Sequence, residues 1–182
     1  MRARLASGNA HKLEELRAAL PGWQLDLLET ARPYPPEDGA TYAENARIKA
    51  AFGREQAPDA WVLGEDSGIE VAALRGGPGI ASARWAEDGV ARLLAELEGV
   101  GDRRARYVCE LVALGPRGEE LRGAGTLEGS IATGRRGDEG FGYDPIFVPA
   151  GEERTVAELG DAWKRSNSHR ARAAAALRAA LS

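Results

Sequence analysis

The sequence has 182 residues, of which 43% are hydrophobic and 29% charged, which is typical of one globular domain with a buried core. A net charge of −4 disfavours a protein that binds a nucleic-acid backbone, because such proteins usually carry a basic face. The sequence has neither an apolar run long enough for a membrane span nor a signal-peptide pattern near its start. We therefore expect a single domain over residues 1–182 that is cytoplasmic and binds neither membrane nor nucleic acid.

Cysteine occurs once, at position 109, so no disulfide can form within the chain. Apolar and aromatic neighbours on both sides of Cys109 predict a buried, inert thiol rather than a nucleophile.

Arginine occurs 21 times and lysine three times, at Lys12, Lys49 and Lys164. Lysine is a compact point charge and arginine a planar fork, so the two are not interchangeable at a tight phosphate contact. A lysine that persists against this bias indicates a chemical role, and the alternative is that the three are simply scattered. Each of the three asparagines lies within five residues of one of these lysines.

Apolar periodicity and turn residues predict the elements of the chain. In chain order they are a strand over 2–7, a helix over 11–20, a strand over 23–28, a loop over 32–39, a helix capped by Thr41 and Glu44 that runs to about Gln56, a strand over 60–64 with an extended continuation over 69–74, a helix over 87–97, a hairpin over 104–114 and 119–133, a short strand over 143–148, a helical turn over 156–159 and a helix over 168–181. This order predicts the α/β class, with a central mixed twisted sheet flanked by helices and two lobes with an active-site cleft between them.

A short polar segment joins the first predicted strand to the first predicted helix. Backbone N–H groups at a helix start, together with the helix dipole, form an anion site, and Lys12 adds a positive charge there. The spacing is not that of a Walker A loop. The alternative is that Ser7 or Asn9 only caps the helix.

The second predicted helix carries Asn45 and Lys49 four residues apart, so both lie on one stripe and could reach one ligand. The alternative is an ordinary solvated helix face.

Glu65, Asp66 and Glu70 crowd a glycine turn predicted to follow an apolar strand over 61–63. Ligands of open α/β sheets bind at the carboxyl ends of strands. Crowded carboxylates repel unless a cation pairs them, and Mg²⁺ prefers one or two carboxylates together with substrate phosphates. The alternative is an acidic surface turn.

Two late segments carry aromatic and cationic residues. Residues 140–147 place three aromatic rings and two glycines around Asp144, which suits stacking on a nucleobase, although aromatic core residues would give the same pattern. Residues 164–170 bring cations to a predicted helix N-terminus capped by Ser168. Because the dipole disfavours positive charge there, the cations indicate an anionic or electron-rich ligand, while His169 by itself is more often structural.

Taken together, these segments resemble the inosine triphosphate pyrophosphatase family. The matching segments are 7–12, 44–50, 65–71, 78–84, 140–147 and 164–170, in the family's order and over nearly the whole chain. The resemblance implies a homodimer that cleaves the small-molecule nucleotides ITP, dITP and XTP to the monophosphate and pyrophosphate, with Mg²⁺ as cofactor.

The resemblance also implies roles for individual residues. Asp66 would accept the proton of the attacking water and bind the metal, and Glu37 would be a second metal ligand. The residues that would hold the phosphates are Ser7, Gly8, Asn9, Ala10, His11, Lys12, Lys49 and Ser67. Those that would hold the nucleoside are Phe141, Gly142, Tyr143, Asp144, Lys164, His169 and Arg170.

The sequence departs from the family pattern at two positions. Glu65 stands where the family has an aspartate, which leaves its part in metal binding open, and Trp163 stands where the family has an acid. Two other functions remain open, namely a pyrophosphatase for pyrimidine or modified nucleotides and a nucleotide-binding module without turnover. The acidic cluster argues against the module, since binding alone needs no carboxylates beside the phosphates.

Overall fold

The structure, a computed structural model, describes residues 1–181. Its strands and helices, in chain order, are β1 (Arg2–Leu5), α1 (Ala10–Ala19), β2 (Gln24–Leu27), α2 (Tyr42–Gln56), β3 (Trp61–Val71), α3 (Gly89–Glu96), β4 (Arg104–Leu114), β5 (Glu120–Ile131), β6 (Phe147–Pro149), α4 (Val156–Asn167) and α5 (His169–Ala179). Two short 3₁₀ turns, Ala72–Leu74 and Gly79–Ala81, follow β3.

The strands form one mixed sheet of six strands in the order β2-β1-β3-β4-β5-β6. β1 pairs in parallel with both β2 and β3, whereas β5 and β6 are antiparallel. Parallel pairs need crossover connections, and the helices α1 and α2 provide them. The predicted α/β class with a mixed sheet flanked by helices is confirmed, while the predicted cleft between lobes stays a prediction.

The chain divides into two compact units, each made of several segments. The first comprises Met1–Asp66, Cys109–Gly125 and the chain from Arg170 onward, and the second comprises Ser67–Val108 and Thr126–His169. Each has its own apolar core, with leucines of β1, α1, β3 and β4 in the first and residues of β3, α3, β4 and the region around β6 in the second. The prediction of a single domain over 1–182 stays a prediction.

Helix α2 packs closely against β3 because residue 64 is glycine. A Cβ atom on Gly64 would overlap the carbonyl oxygen of Ala46 and lie 2.7 Å from the amide nitrogen of Ala50. The helix starts at Thr41, whose hydroxyl accepts a hydrogen bond from the Glu44 amide at 3.1 Å. This cap satisfies one of the free amide groups at the helix start.

Two sequence predictions about elements were wrong, and a third was incomplete. β3 runs without interruption from Trp61 to Val71, so no turn follows residue 64. β6 covers only Phe147–Pro149, because residues 143–146 form turns. The helical turn predicted over 156–159 is present and starts with a capping box at Thr155, but α4 continues to Asn167 after a kink at Gly160, whose φ of +83° is not helical, and this continuation was not predicted.

The boundary between α4 and α5 corrects the prediction that the cations of residues 164–170 lie at a helix N-terminus. Lys164 and Arg165 lie in the last turn of α4, and Ser168 is its C-cap, one residue before α5 begins. Cations at a helix C-terminus are stabilised by the dipole. Their position therefore does not indicate a ligand. None of the helices in residues 1–181 is long and apolar enough to cross a membrane.

Candidate active site

Glu65 and Asp66 are both buried in the middle of β3, with 0% and 4% of their surface exposed. Successive side chains of a strand point to opposite faces, so the two neighbours meet different partners. Glu70, the third acid of the segment, pairs with Arg106 at 2.8 Å. The pleat thus separates Glu65 from Asp66, and Glu70 lies four residues further along the strand with a partner of its own.

Asp66 faces α2. Its Oδ1 atom lies 3.0 Å from the Nζ atom of Lys49, and its Oδ2 atom accepts a hydrogen bond from the Asn45 side-chain amide at 3.2 Å. Asn45 and Lys49 are buried, with 0% and 6% exposed. The prediction that these two residues lie on one stripe of the helix is confirmed, and the alternative of a solvated face is wrong, while their part in ligand binding stays a prediction.

The loop before α2 brings a second carboxylate to the same lysine. The Oε1 atom of Glu37 lies 2.7 Å from the Nζ atom of Lys49. The amide of Gly39 donates to the side-chain oxygen of Asn45 at 2.9 Å, which ties the loop to α2. Glu37, Lys49 and Asp66 therefore form one cluster, which we call the carboxylate–lysine cluster.

The charges of this cluster shift the pKa values of its members. Burial raises the pKa of Asp66 above its usual value, and Glu37 adds to this, although Lys49 and Asn45 act in the opposite direction. Burial by itself would lower the pKa of Lys49, but the nearby carboxylates, Asp66 first, raise it above its usual value. Lys49 is thus a cation at neutral pH.

The carboxylate–lysine cluster fits a divalent cation. Oxygen atoms of Glu37 and Asp66 already converge on one positive atom, and carboxylate oxygens are the donors that Mg²⁺ prefers. Over residues 1–181 there is no group of three or more His, Cys, Asp or Glu side chains arranged for a metal. Two carboxylates suit an ion whose remaining ligands are water and phosphate oxygens.

The segment before α1 is held as a helix cap. The side-chain oxygen of Asn9 accepts from the amides of His11 at 2.9 Å and Lys12 at 3.3 Å, and the Ser7 hydroxyl accepts from the Asn9 amide at 3.1 Å. Asn9 therefore caps α1, while the predicted anion site at this helix start stays a prediction. The Nζ atom of Lys12 lies 2.6 Å from Glu65 Oε2.

Glu65 is the centre of a second charged group in the same unit. Arg170 contacts Glu65 Oε1 through Nε at 3.1 Å and Nη2 at 2.9 Å, and reaches Glu15 Oε2 through Nη1 at 2.6 Å. Burial by itself would raise the pKa of Glu65, but Lys12, Arg170 and Lys49 hold it well below its usual value. Cys109 is fully buried beside Glu65, and burial raises the pKa of its thiol. The predicted burial of the thiol is confirmed, while its inertness stays a prediction.

The second unit contains a compact polar group around the buried carboxylate of Asp144. Its Oδ2 atom accepts from Lys164 Nζ at 2.6 Å and from the Phe141 amide at 2.8 Å, and its Oδ1 atom accepts from the Tyr107 hydroxyl at 3.1 Å. Lys164 also lies over the Phe141 ring, 4.1 Å from the centroid. Gly140 has a φ of +78° and lies so close to Asp144 that a Cβ atom would overlap the carboxylate.

Tyr107 was missed in the sequence, because a tyrosine in an apolar strand pattern is indistinguishable from a core residue. Its ring stacks on His169 with centroids 4.5 Å apart and an interplanar angle of 11°. Tyr143, in contrast, is buried and donates to the Ser82 carbonyl at 3.1 Å, which gives it a packing role.

The two units divide the predicted site residues between them. The first holds Ser7, Gly8, Asn9, Ala10, His11, Lys12, Glu37, Lys49, Asp66 and Arg170. The second holds Ser67, Phe141, Gly142, Tyr143, Asp144, Lys164 and His169. The predicted metal and phosphate residues thus lie mainly in the first unit, and the predicted nucleoside residues mainly in the second.

These features define an α/β protein whose sheet carries a buried carboxylate–lysine cluster suited to a divalent cation and phosphate groups. The chain belongs to the Ham1 family, whose model matches residues 3–180.

Individual relatives agree with this assignment. The chain is 44% identical to a dITP/XTP pyrophosphatase of Deinococcus deserti, over 97% of this chain and 87% of the relative. It is 35% identical to the Staphylococcus aureus Ham1 protein, whose structure superposes with a TM-score of 0.87 and covers 100% of this chain and 98% of that one. A crystal structure from Mycobacterium abscessus, described as a nucleoside-triphosphatase / dITP/XTP pyrophosphatase, is 40% identical with a TM-score of 0.75 and covers 97% of each chain.

Proposed function

We propose that this protein hydrolyses the deaminated purine nucleotides ITP, dITP and XTP to the monophosphate and pyrophosphate. The carboxylate–lysine cluster of Glu37, Lys49 and Asp66 is the observation that carries the proposal. It combines a buried carboxylate of raised pKa with a buried cation, the pair that water attack on a phosphate requires. Membership of the Ham1 family and the names of the relatives support the substrate class.

In the proposed mechanism, Asp66 accepts the proton of the attacking water. Burial raises the pKa of its carboxyl group, and Asn45 keeps the carboxylate in one orientation through Oδ2. Glu37 and Asp66 would hold Mg²⁺, which neutralises the phosphate charge that develops during displacement.

Cations of the first unit bind the phosphates. Lys49 lies in the middle of α2 and Lys12 in the first turn of α1, and both are point charges suited to phosphate oxygens. Ser7, Gly8, Asn9, Ala10 and His11 add the polar segment at the α1 N-terminus, where the dipole favours an anion. Ser67 follows Asp66 on β3 and is assigned to the phosphates as well.

Residues of the second unit bind the nucleoside. The half-buried Phe141 ring offers a stacking face, and Asp144 fixes the Phe141 backbone and the Lys164 ammonium, so the ring and the cation keep one geometry. Gly142, Tyr143 and His169 of the same unit, together with Arg170 of the first unit, complete the predicted nucleoside set. A rigid polar group of this kind can discriminate a base by its hydrogen-bonding edge.

The test is a panel of nucleoside triphosphates with identification of the products. With Mg²⁺, we expect ITP, dITP and XTP to be cleaved far faster than ATP, GTP or pyrimidine nucleotides, with release of pyrophosphate. Addition of a chelator should stop turnover, and Mg²⁺ in excess should restore it. Absence of ITP and XTP cleavage, or release of orthophosphate in place of pyrophosphate, would contradict the proposal.

A further inference from the structure

Glu65 is a buried carboxylate whose two oxygen atoms both face cations. Oε2 lies 2.6 Å from Lys12 Nζ, and Oε1 lies 2.9 and 3.1 Å from two nitrogen atoms of Arg170. A buried charge persists only where such partners compensate its desolvation. Since nitrogen donors contact both oxygens, Glu65 takes a different part from Asp66, its neighbour on the other face of β3.

The contacts of Arg170 connect Glu65 to α1 a second time. The guanidinium reaches Glu15 Oε2 at 2.6 Å, and Glu15 lies three residues after Lys12 on α1. Helix α1 is therefore attached to Glu65 at two points, directly through Lys12 and indirectly through Arg170 and Glu15. Arg170 is 1% exposed, so its contacts with the two carboxylates are shielded from solvent.

Lys12 is the partly exposed cation of this group, since Arg170, the other cation, is buried. Its side chain is 17% exposed, whereas that of Glu65 is fully buried. An ammonium group has three N–H donors, so Lys12 can donate to Glu65 and still donate to a second acceptor. An unrestrained lysine side chain would lose rotamer entropy on binding an anion, and a fixed carboxylate removes most of that loss beforehand.

We propose that Glu65 is a positioning residue, which holds the ammonium of Lys12 ready for a phosphate group of the substrate and is itself held by Arg170. The inference rests on the proposed function in that it takes Lys12 as a phosphate ligand. Glu65 acts through Lys12 and not through the metal, and this distinguishes it from Asp66.

The test uses Glu65→Gln, which keeps the shape of the side chain and removes its charge. We expect the KM for ITP to rise on the order of tenfold, the effect of leaving one rotamer-rich side chain unrestrained, while kcat changes much less. Binding of inorganic pyrophosphate in the presence of Mg²⁺, measured by calorimetry, should weaken by a similar factor. A fall in kcat with KM unchanged would contradict a positioning role.

A double-mutant cycle separates positioning from general loss of structure. In a Lys12→Met background, Glu65→Gln should weaken pyrophosphate binding no further, because its only route to the phosphate has been removed. Equal weakening in both backgrounds, or normal pyrophosphate binding by Lys12→Met itself, would overturn the inference.

Two controls distinguish a failure of this inference from a folding defect and from a failure of the proposed function. If Glu65→Gln does not fold, the cycle is run with Glu65→Asp, which keeps the charge for Arg170 but is one methylene shorter towards Lys12. Since pyrophosphate binding needs no turnover, the cycle gives its result even if the wild-type protein fails to cleave ITP, and that failure would count against the proposed function alone.

Discussion

Adjacent carboxylates on β3 have opposite pKa shifts. The pKa of Asp66 is raised by burial, whereas the pKa of Glu65 is lowered because Lys12 and Arg170 outweigh its burial. Pairs of titratable groups separated in this way often take different chemical roles. Here the pleat of the strand explains the separation, since each carboxylate meets a different set of cations.

Replacement of Asp66 by asparagine tests its part as the base. We expect Asp66→Asn to reduce kcat by about two to four orders of magnitude, because the amide cannot accept the proton of water. Nucleotide binding, followed by calorimetry, should persist because Lys12 and Lys49 remain. The control is Asp26→Asn, at an exposed ion pair with Arg17, which should leave kcat unchanged. Turnover by Asp66→Asn close to the wild-type rate would exclude Asp66 as the base.

Replacement of Lys49 by glutamine tests whether its ammonium occupies the region in which a cation would bind. Without the positive charge between Glu37 and Asp66, we expect Mn²⁺ to bind more tightly in the absence of nucleotide, by about tenfold or more given charges within 3.0 Å. The electron paramagnetic resonance signal of free Mn²⁺ measures this binding, and nucleotide affinity should fall in the same variant.

Arg47→Gln is the matched control for Lys49→Gln, since it removes a positive charge from the exposed side of the same helix. It should leave Mn²⁺ affinity within about twofold of wild type, because exposed charges are strongly screened. Equal or weaker Mn²⁺ binding by Lys49→Gln would mean that the ammonium does not compete with the ion.

At the scale of elements, the close contact of α2 with β3 brings Asn45 and Lys49 to Asp66. Gly64 permits that contact, since any side chain there would meet the backbone of α2. The loop over 32–39 adds Glu37 and is tied to the same helix through Gly39 and Asn45. The site is therefore assembled by the packing of one helix and its preceding loop on one strand.

Gly64→Ala should separate the helix from the strand. We expect a loss of about 1–3 kcal/mol in the free energy of unfolding, as for other overpacked cores, measured by urea denaturation. Turnover should fall as well, because Lys49 moves away from Asp66. Gly101→Ala is the control, since its Cβ atom would meet no atom within 4 Å. If both variants were equally stable, the contact at Gly64 would not limit the packing.

At the scale of the whole molecule, substrate binding adds to the stability of the fold. Because ligand binds the folded state, a saturating metal–nucleotide complex stabilises the protein by about 2.7 kcal/mol at a hundredfold excess over Kd. For a chain of 182 residues this corresponds to a rise in Tm of roughly 5 °C or more.

The rise in Tm can be measured by differential scanning calorimetry with a non-hydrolysable ITP analogue and Mg²⁺ as the ligand. Chelation of the metal should remove most of the rise in Tm, and the ATP analogue should give a smaller one. An equal rise with and without metal would show that the nucleotide binds independently of the cation. The homodimer that the family resemblance implies stays a prediction, which sedimentation measurements can test.

The sequence determined the fold class and the positions of most elements, because hydrophobic periodicity, caps and turn residues act over a few neighbouring residues. It also predicted that Asn45 and Lys49 share a face, since helical spacing by itself places them together. The site residues came from the order of the motifs along the chain, which allowed the family to be identified without knowledge of any contact.

Tertiary structure decided which charges meet. Lys49 pairs with both Glu37 and Asp66, and Glu65 pairs with Lys12 and Arg170. These residues lie up to 105 positions apart along the chain, and no local sequence pattern encodes such separations. The same applies to β3, where strand pairing on both sides overrides the turn signal at Gly68. Local chemistry thus set the elements and the motifs, while long-range packing gave the two adjacent acids of β3 their partners, Lys49 and Glu37 around Asp66 and Lys12 and Arg170 around Glu65.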